Sequence, residues 1–156
     1  MAWADSKISS NWLKDRIEDT DGTDFSGGTP KAALYNNTIT PDQDATPANF
    51  AYNVDQWATA QEVYEAGQWA QGGVALTTPT VTVSAVNLVT LDAVDTASGT
   101  NADLASVYGV LVYDDAATTP VADQGICYNY LGGENSVVDG TFTVVWHTNG
   151  IARFTL

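Results

Sequence analysis

Asp42 and Asp44, two residues apart in "TPDQDA", are the first side chains whose type and spacing suit chemistry. Oxygen ligands at alternate loop positions are a common way for a loop to hold calcium. The EF-hand pattern stops there, because the further acids, central glycine and closing glutamate are missing. The pair is therefore only a weak calcium candidate. Asp114 and Asp115 are adjacent, and in an extended chain neighbouring side chains point in different directions. Paired carboxylates cleave glycosides, yet no spacing here singles out such a pair. His147 is the chain's single histidine and Cys127 its single cysteine. No G-x-S-x-G elbow accompanies His147, so it reads as a half-exposed strand histidine. Without cysteine partners it makes no typical zinc site. In "GICYNYL", Cys127 sits among apolar and aromatic residues, as a small core residue does. Gly72-Gly73 and Gly132-Gly133 are lone turn pairs, with no P-loop around them. The expectation is a chain with no catalytic residues and no cofactor.

Charge narrows the partners. Five Lys and Arg face 19 Asp and Glu in 156 residues, a formal net charge of −14. Between Lys31 and Arg153 no Lys or Arg occurs. Nucleic-acid affinity rests on cations displacing counterions from phosphate, so direct DNA or RNA binding is not expected. Anionic membranes are disfavoured for the same reason. The acidity itself reads first as solubility at high concentration, with a basic partner or divalent cations as the alternative. The opening "MAWADSKISS" has neither a basic n-region nor an apolar run, so no signal peptide is expected. No run reaches transmembrane length.

The elements that must position these residues are mostly strands. The exception is "DSKISSNWLKDRIED", where Ile8, Trp12, Leu13 and Ile17 fall on one helical face behind a cap at Asp5 or Ser6. The run "DTDGTDFSGGTP" ends that helix with turn and linker residues. Residues 1–30 thus read as a helix and linker, either packed on the body or reaching a neighbouring subunit as an arm. Residues 31–156 read as a β domain. "KAALYNN" begins as a short buried strand. "GGVALTTPTVTVSAVNLVTLDA" alternates and is rich in Val and Thr, with Pro79 at an edge or a strand start. "SVYGVLVYDD", "QGICYNYLGG", "GTFTVVWHTNG" and "IARFTL" supply four more strands. Asn149-Gly150 predicts a hairpin between the last two. Within "TFTVVWHT", Phe142, Val144 and Trp146 share one face, and Thr143, Val145 and His147 the other. The whole is expected to be an antiparallel β-sandwich or barrel with a short N-terminal amphipathic helix.

One long segment, "ANFAYNVDQWATAQEVYEAGQWAQ", separates the first of these strands from Gly72. Gln56 to Ala66 has helical composition, with Trp57, Gln61 and Tyr64 on one face. Its aromatics, Phe50, Tyr52, Trp57, Tyr64 and Trp69, either cover one end of the sandwich or form a contact surface for a partner.

"KAALYNNTITPDQDA", "FAYNVDQW", "GGVAL" and "YGVLVYDD", taken in that order, resemble a family of small proteins encoded among the virion structural genes of tailed phages of actinobacteria. The resemblance spans Lys31 to about Leu156. It implies a non-enzymatic virion component, assembled in the host cytoplasm. Within the virion the expected role is a capsid decoration protein on the outer surface of the major capsid protein shell. The expected assembly is a closed homo-oligomer, with a trimer following the local symmetry of the shell. Ile8, Trp12, Leu13, Ile17 and Phe25 are then the expected contacts to shell or subunit. A minor tail or baseplate component is the first alternative, with Tyr52, Trp57, Tyr64 and Trp69 meeting another tail protein. The second is a carbohydrate-binding module for the host surface, with Tyr52, Trp57 and Trp69 as stacking platforms.

Overall fold

Val and Thr alternation and turn glycines favour paired strands through most of the chain, and strands dominate the computed structural model, which describes residues 3–10, 12 and 13, 24–84 and 88–155. In chain order they are β1 (Lys7–Ile8), β2 (Pro30–Tyr35), β3 (Glu62–Val63), β4 (Val74–Ala75), β5 (Thr77–Ser84) and β6 (Leu88–Val94). After these come β7 (Thr96–Ala97), β8 (Ala102–Asp114), β9 (Gly125–Gly140), β10 (Thr143–Val144) and β11 (Ala152–Thr155). All described pairs are antiparallel. The main sheet runs β1-β9-β8-β2-β3, and β4 lies beyond β3 along the same edge of β2. A three-stranded sheet, β11-β6-β5, and the pair β10-β7 complete the set. The fold class expected from the sequence, a mostly β, antiparallel, multi-sheet domain, is therefore the observed one.

Where β2 and β8 pair, residues 32–35 and 109–113 form apolar runs because both faces of the main sheet are covered there. Strand side chains alternate in direction, so each strand feeds two cores. Ala32, Leu34, Val110 and Val112 enter one core with Trp69, Leu91, Phe142, Val144, Trp146 and Ile151. Ala33, Tyr35, Leu111 and Tyr113 enter the other with Trp3, Ile39, Phe50, Trp57 and Tyr128. The first core is closed by the two smaller sheets. The second is roofed by the N-terminal residues and the aromatic segment after β2. A fully buried Leu or Phe contributes about 1.5–3 kcal/mol of transfer free energy, so these two layers dominate stability.

Several expectations need correction. The N-terminal helix does not begin at Asp5. Lys7 and Ile8 pair with Tyr128 and Cys127 instead. The Ser6 hydroxyl oxygen accepts the Tyr130 amide rather than capping a helix. Ser9 takes the capping role, its Oγ accepting from the Trp12 amide at 3.2 Å, and α-helical backbone is confined to Ser10, Trp12 and Leu13 among the described residues. Ile17 lies outside the described residues. Between Gln56 and Ala66 no α-helix forms. Two 3-10 turns, Asp55–Trp57 and Thr59–Gln61, are separated by an extended Ala58, and Glu62 then enters β3. Gly150 does turn the chain, with φ of +87° and its amide donating to the His147 carbonyl. The strands on either side do not pair with each other, because β10 joins β7 and β11 joins β6. Gly132 and Gly133 sit inside β9 at positive φ, where four residues bulge between the pairs Gly109–Tyr130 and Val107–Asn135.

Candidate functional site

Trp57 and Trp69 are fully buried, and they lie on opposite faces of the main sheet. Trp69 donates its indole N–H to the Ala32 carbonyl at 3.0 Å and packs edge-on against Phe142. Trp57 meets Trp3, Tyr35, Phe50 and Tyr128 within 5.2–5.9 Å between ring centroids. Of the two roles open to these aromatics, the structure gives both tryptophans to the core. Tyr52 is half-buried and stacked on Tyr113 at 4.8 Å. Tyr64, 48% exposed, is left at the surface. The four aromatics proposed for a partner therefore do not form one surface.

A buried carboxylate sits behind Tyr52. Glu62 opens β3, and its side chain turns inward between Tyr52 and the Gly72-Gly73 turn. The Tyr52 hydroxyl donates to one carboxylate oxygen at 2.8 Å, and the Gly72 amide donates to the other at 2.7 Å. The Tyr113 hydroxyl donates to the Gly72 carbonyl at 2.5 Å. Tyr35 donates to the Trp57 carbonyl at 2.6 Å. Burial raises the Glu62 carboxyl above the ordinary carboxylate range, against the pull of these hydrogen bonds. Burial likewise pushes the Tyr35, Tyr52 and Tyr113 phenols far above their usual values. Phenols held neutral and a carboxylate occupied on both oxygens form a structural clamp on the turn, because an acid–base catalyst must reach its substrate. Sequence reading missed Glu62, since a lone glutamate in a polar segment gives no signal of burial.

The remaining candidates are engaged within the chain. Asp42 accepts the Asp44 amide at 2.9 Å, an Asx turn, while the Asp44 carboxylate accepts from Ser10 Oγ at 2.6 Å. Among the described residues no three His, Cys, Asp or Glu side chains gather into a metal-sized group. Asp114 is buried and accepts the amides of Thr29 and Ala116, so it organises the turn after β8. Asp115 pairs with Lys31 at 2.8 Å. Burial raises the Asp123 carboxyl, with Asp115 adding to the effect. Cys127 is a buried free thiol, pushed up to about 12 by burial. No described helix is long and apolar enough to cross a membrane.

The expected shell contacts are also largely inside. Trp12 and Phe25 are buried and belong to the first core, with Ile8 and Leu13 packed against it. Trp3, which the sequence reading passed over, is wholly buried and donates its indole N–H to the Asn36 carbonyl at 2.9 Å. Residues 3–13, so far as they are described, are part of the body rather than a detached arm. Their apolar side chains find a deeper burial on the chain's own β8 and β9 than an exposed arm allows.

A surface groove of about 350 Å³ lies between β1, β9 and the turn into β11. Lys7, His147 and Arg153 line it together with Tyr128 and Asn129; no acid lines it, but Lys7 pairs with Asp5 just outside at 3.7 Å. His147 is exposed and accepts the Asn149 amide at Nδ1, which leaves Nε2 directed away from that turn. In a chain of net charge −14, two of the five Lys and Arg residues meet the single histidine there. Comparison with protein-family models, with curated proteins and with solved structures found no match.

Proposed function

We propose that this chain is a non-enzymatic structural component of a tailed-phage virion, a decoration protein seated on the outer surface of the major capsid protein shell. The observation that carries this reading is where the phage-like segments lie. "KAALYNN" contains most of β2, "YGVLVYDD" is the end of β8, and "GGVAL" leads into β4. These are hydrogen-bonded neighbours, with Pro30–Tyr35 against Gly109–Asp114 and Lys31–Ala32 against Val74–Ala75. "FAYNVDQW" supplies Phe50 and Trp57 of the roof above them. The resemblance thus follows one packed scaffold rather than scattered surface positions.

The polar side chains that could do chemistry are spent on holding turns, which suits a protein whose work is contact. The homo-oligomer in this reading is a closed ring that assembles on the shell, where a trimer follows its local symmetry. The N-terminal reach onto the shell is given up for Trp3, Ile8, Trp12 and Leu13, whose side chains pack in or against the chain's own cores. Among the described residues, contact with shell carboxylates is favoured at the Lys7–His147–Arg153 groove, whose lining holds no acid. The sugar-binding alternative loses two of its three platforms, because Trp57 and Trp69 expose no surface.

The test is co-sedimentation of purified protein with expanded capsids that lack it. Saturable binding, weakened in a Lys7→Glu/Arg153→Glu variant that keeps its fold, supports the reading. Failure to bind such capsids at any concentration tested overturns it.

A further inference from the structure

The edge of the three-stranded sheet is built differently from every other open edge among the described residues. β1, β3, β4, β7 and β10 are two residues long, and β11 is four residues long and carries Arg153. The open stretches of β8 and β9 are broken by register shifts and carry Asp103, Glu134 and Asp139. Short length, charge and bulges are the usual defences of an exposed strand against pairing with another chain. β5 has none of them over Thr80–Ser84, where it runs in unbroken register with β6. Half of its backbone N–H and C=O groups point outward, as in any antiparallel edge strand.

Its side chains are as unusual as its backbone. Val81 pairs with Leu91 and Val83 with Val89, and on the far side Leu91 pairs with Ala152 and Val89 with Phe154. Directly paired residues share a face, so this is the face that packs on the first core. Leu91 is 2% exposed, whereas Val81 is 45% and Val83 75% exposed. The core-facing surface of this small sheet therefore runs on past buried Leu91 to two valines that nothing among the described residues covers fully.

We infer that β5 is a self-association strand, whose occupant is β5 of a second copy, paired antiparallel about a twofold axis at Thr82. Two features favour a copy over another partner. From Ala66 to Leu91 the chain has no Asp, Glu, Lys or Arg, while the rest of it is strongly acidic. β5 itself therefore carries no charge, so two copies of this polyanion can meet along it without setting like charges opposite each other, and the strand offers a basic partner no acid of its own. The strand is also self-complementary. Antiparallel pairing about Thr82 sets Val81 opposite Val83 of the copy, and the reverse, so four valines form one cluster. The two three-stranded sheets become one continuous six-stranded sheet, and both β5 edges are used up, leaving only the short β11 edges outside, which closes the pair. The contact is small, so it forms at high protein concentration, or where copies are held close together. It does not depend on the virion reading; on a shell it would tie neighbouring oligomers in pairs.

Sedimentation equilibrium of the full-length chain tests the inference. The mean mass should rise from 16.5 kDa toward twice that value with concentration. It should rise sooner at about 1 M salt than at about 0.1 M, because screening weakens the repulsion between acidic bodies. Val83→Glu, at a position already exposed in the monomer, should weaken this step roughly tenfold or more while leaving the near-ultraviolet circular dichroism unchanged. Under mild oxidation Thr82→Cys should give a covalent dimer and Thr80→Cys should not. A chain that stays monomeric throughout, a Val83→Glu variant that associates as well as wild type, or cross-linking at position 80 but not at 82 would each overturn it.

Discussion

Replacing Trp3 by alanine separates a chain whose N-terminus belongs to its core from one whose N-terminus is a free arm. Trp3 is wholly buried, with Trp57 and Tyr128 each 5.9 Å away, edge to face. Its indole N–H is bonded to the Asn36 carbonyl. Truncating a buried tryptophan costs about 3–5 kcal/mol, and the lost hydrogen bond about 0.5–1.5 kcal/mol more. Against a typical total of about 5–15 kcal/mol, a loss of about 4 kcal/mol is severe. For a domain of this size it corresponds to roughly 8–16 °C in Tm. Gly109 supplies an internal control, because a β-carbon there would lie 2.4 Å from the Trp3 ring. Gly109→Ala should therefore cost about 1–3 kcal/mol in the wild-type background. In the Trp3→Ala background it should cost close to nothing, since the space is open. Urea unfolding of the four proteins, with a common slope, measures the coupling. A Trp3→Ala loss below about 1 kcal/mol, or additive costs in the double variant, refutes the placement of Trp3 and restores the arm.

Two further outcomes follow from buried groups. The Glu62 carboxyl is raised in the folded state, so the native protein holds its proton more tightly than the unfolded chain does. Its contribution is most favourable at acid pH and is lost as pH climbs from the unfolded value of about 4.3 through the folded one. Urea curves from about pH 4 to about pH 8 should show wild type losing stability relative to Glu62→Gln as pH rises; the opposite slope contradicts the buried clamp. Cys127, buried and pushed up to about 12, should react with a thiol reagent near pH 8 only after unfolding, and reaction at the rate of a free peptide thiol contradicts its burial.

Much of the sheet was legible because its physics is local. β2 could be read from "KAALY", and the alternation in "TFTVVWHT" sorted buried Phe142, Val144 and Trp146 from exposed Thr143, Val145 and His147 without error. Long-range pairing was not legible. Asn149-Gly150 specifies a turn, but which partner each flanking strand takes is decided by β6 and β7, about fifty residues earlier. The segment 56–66 has helical composition, yet burying Trp57 inside one core and Glu62 beside Gly72 pulls its ends in directions a single helix cannot serve. Ile8, Trp12 and Leu13 have helical spacing and are indeed drawn to an apolar surface. The surface is the chain's own first core, and β1 reaches it by pairing with β9. Side chains suited to metal or acid–base chemistry could be named from the sequence, but only the folded chain shows Asp44 held by Ser10 and Glu62 held by Tyr52.

The central claim is that this chain covers a capsid. Quantitative mass spectrometry of purified particles, with the major capsid protein as internal standard, measures that most directly. Decoration predicts a copy number comparable with that of the capsid subunit. A handful of copies per particle, or none, would contradict it.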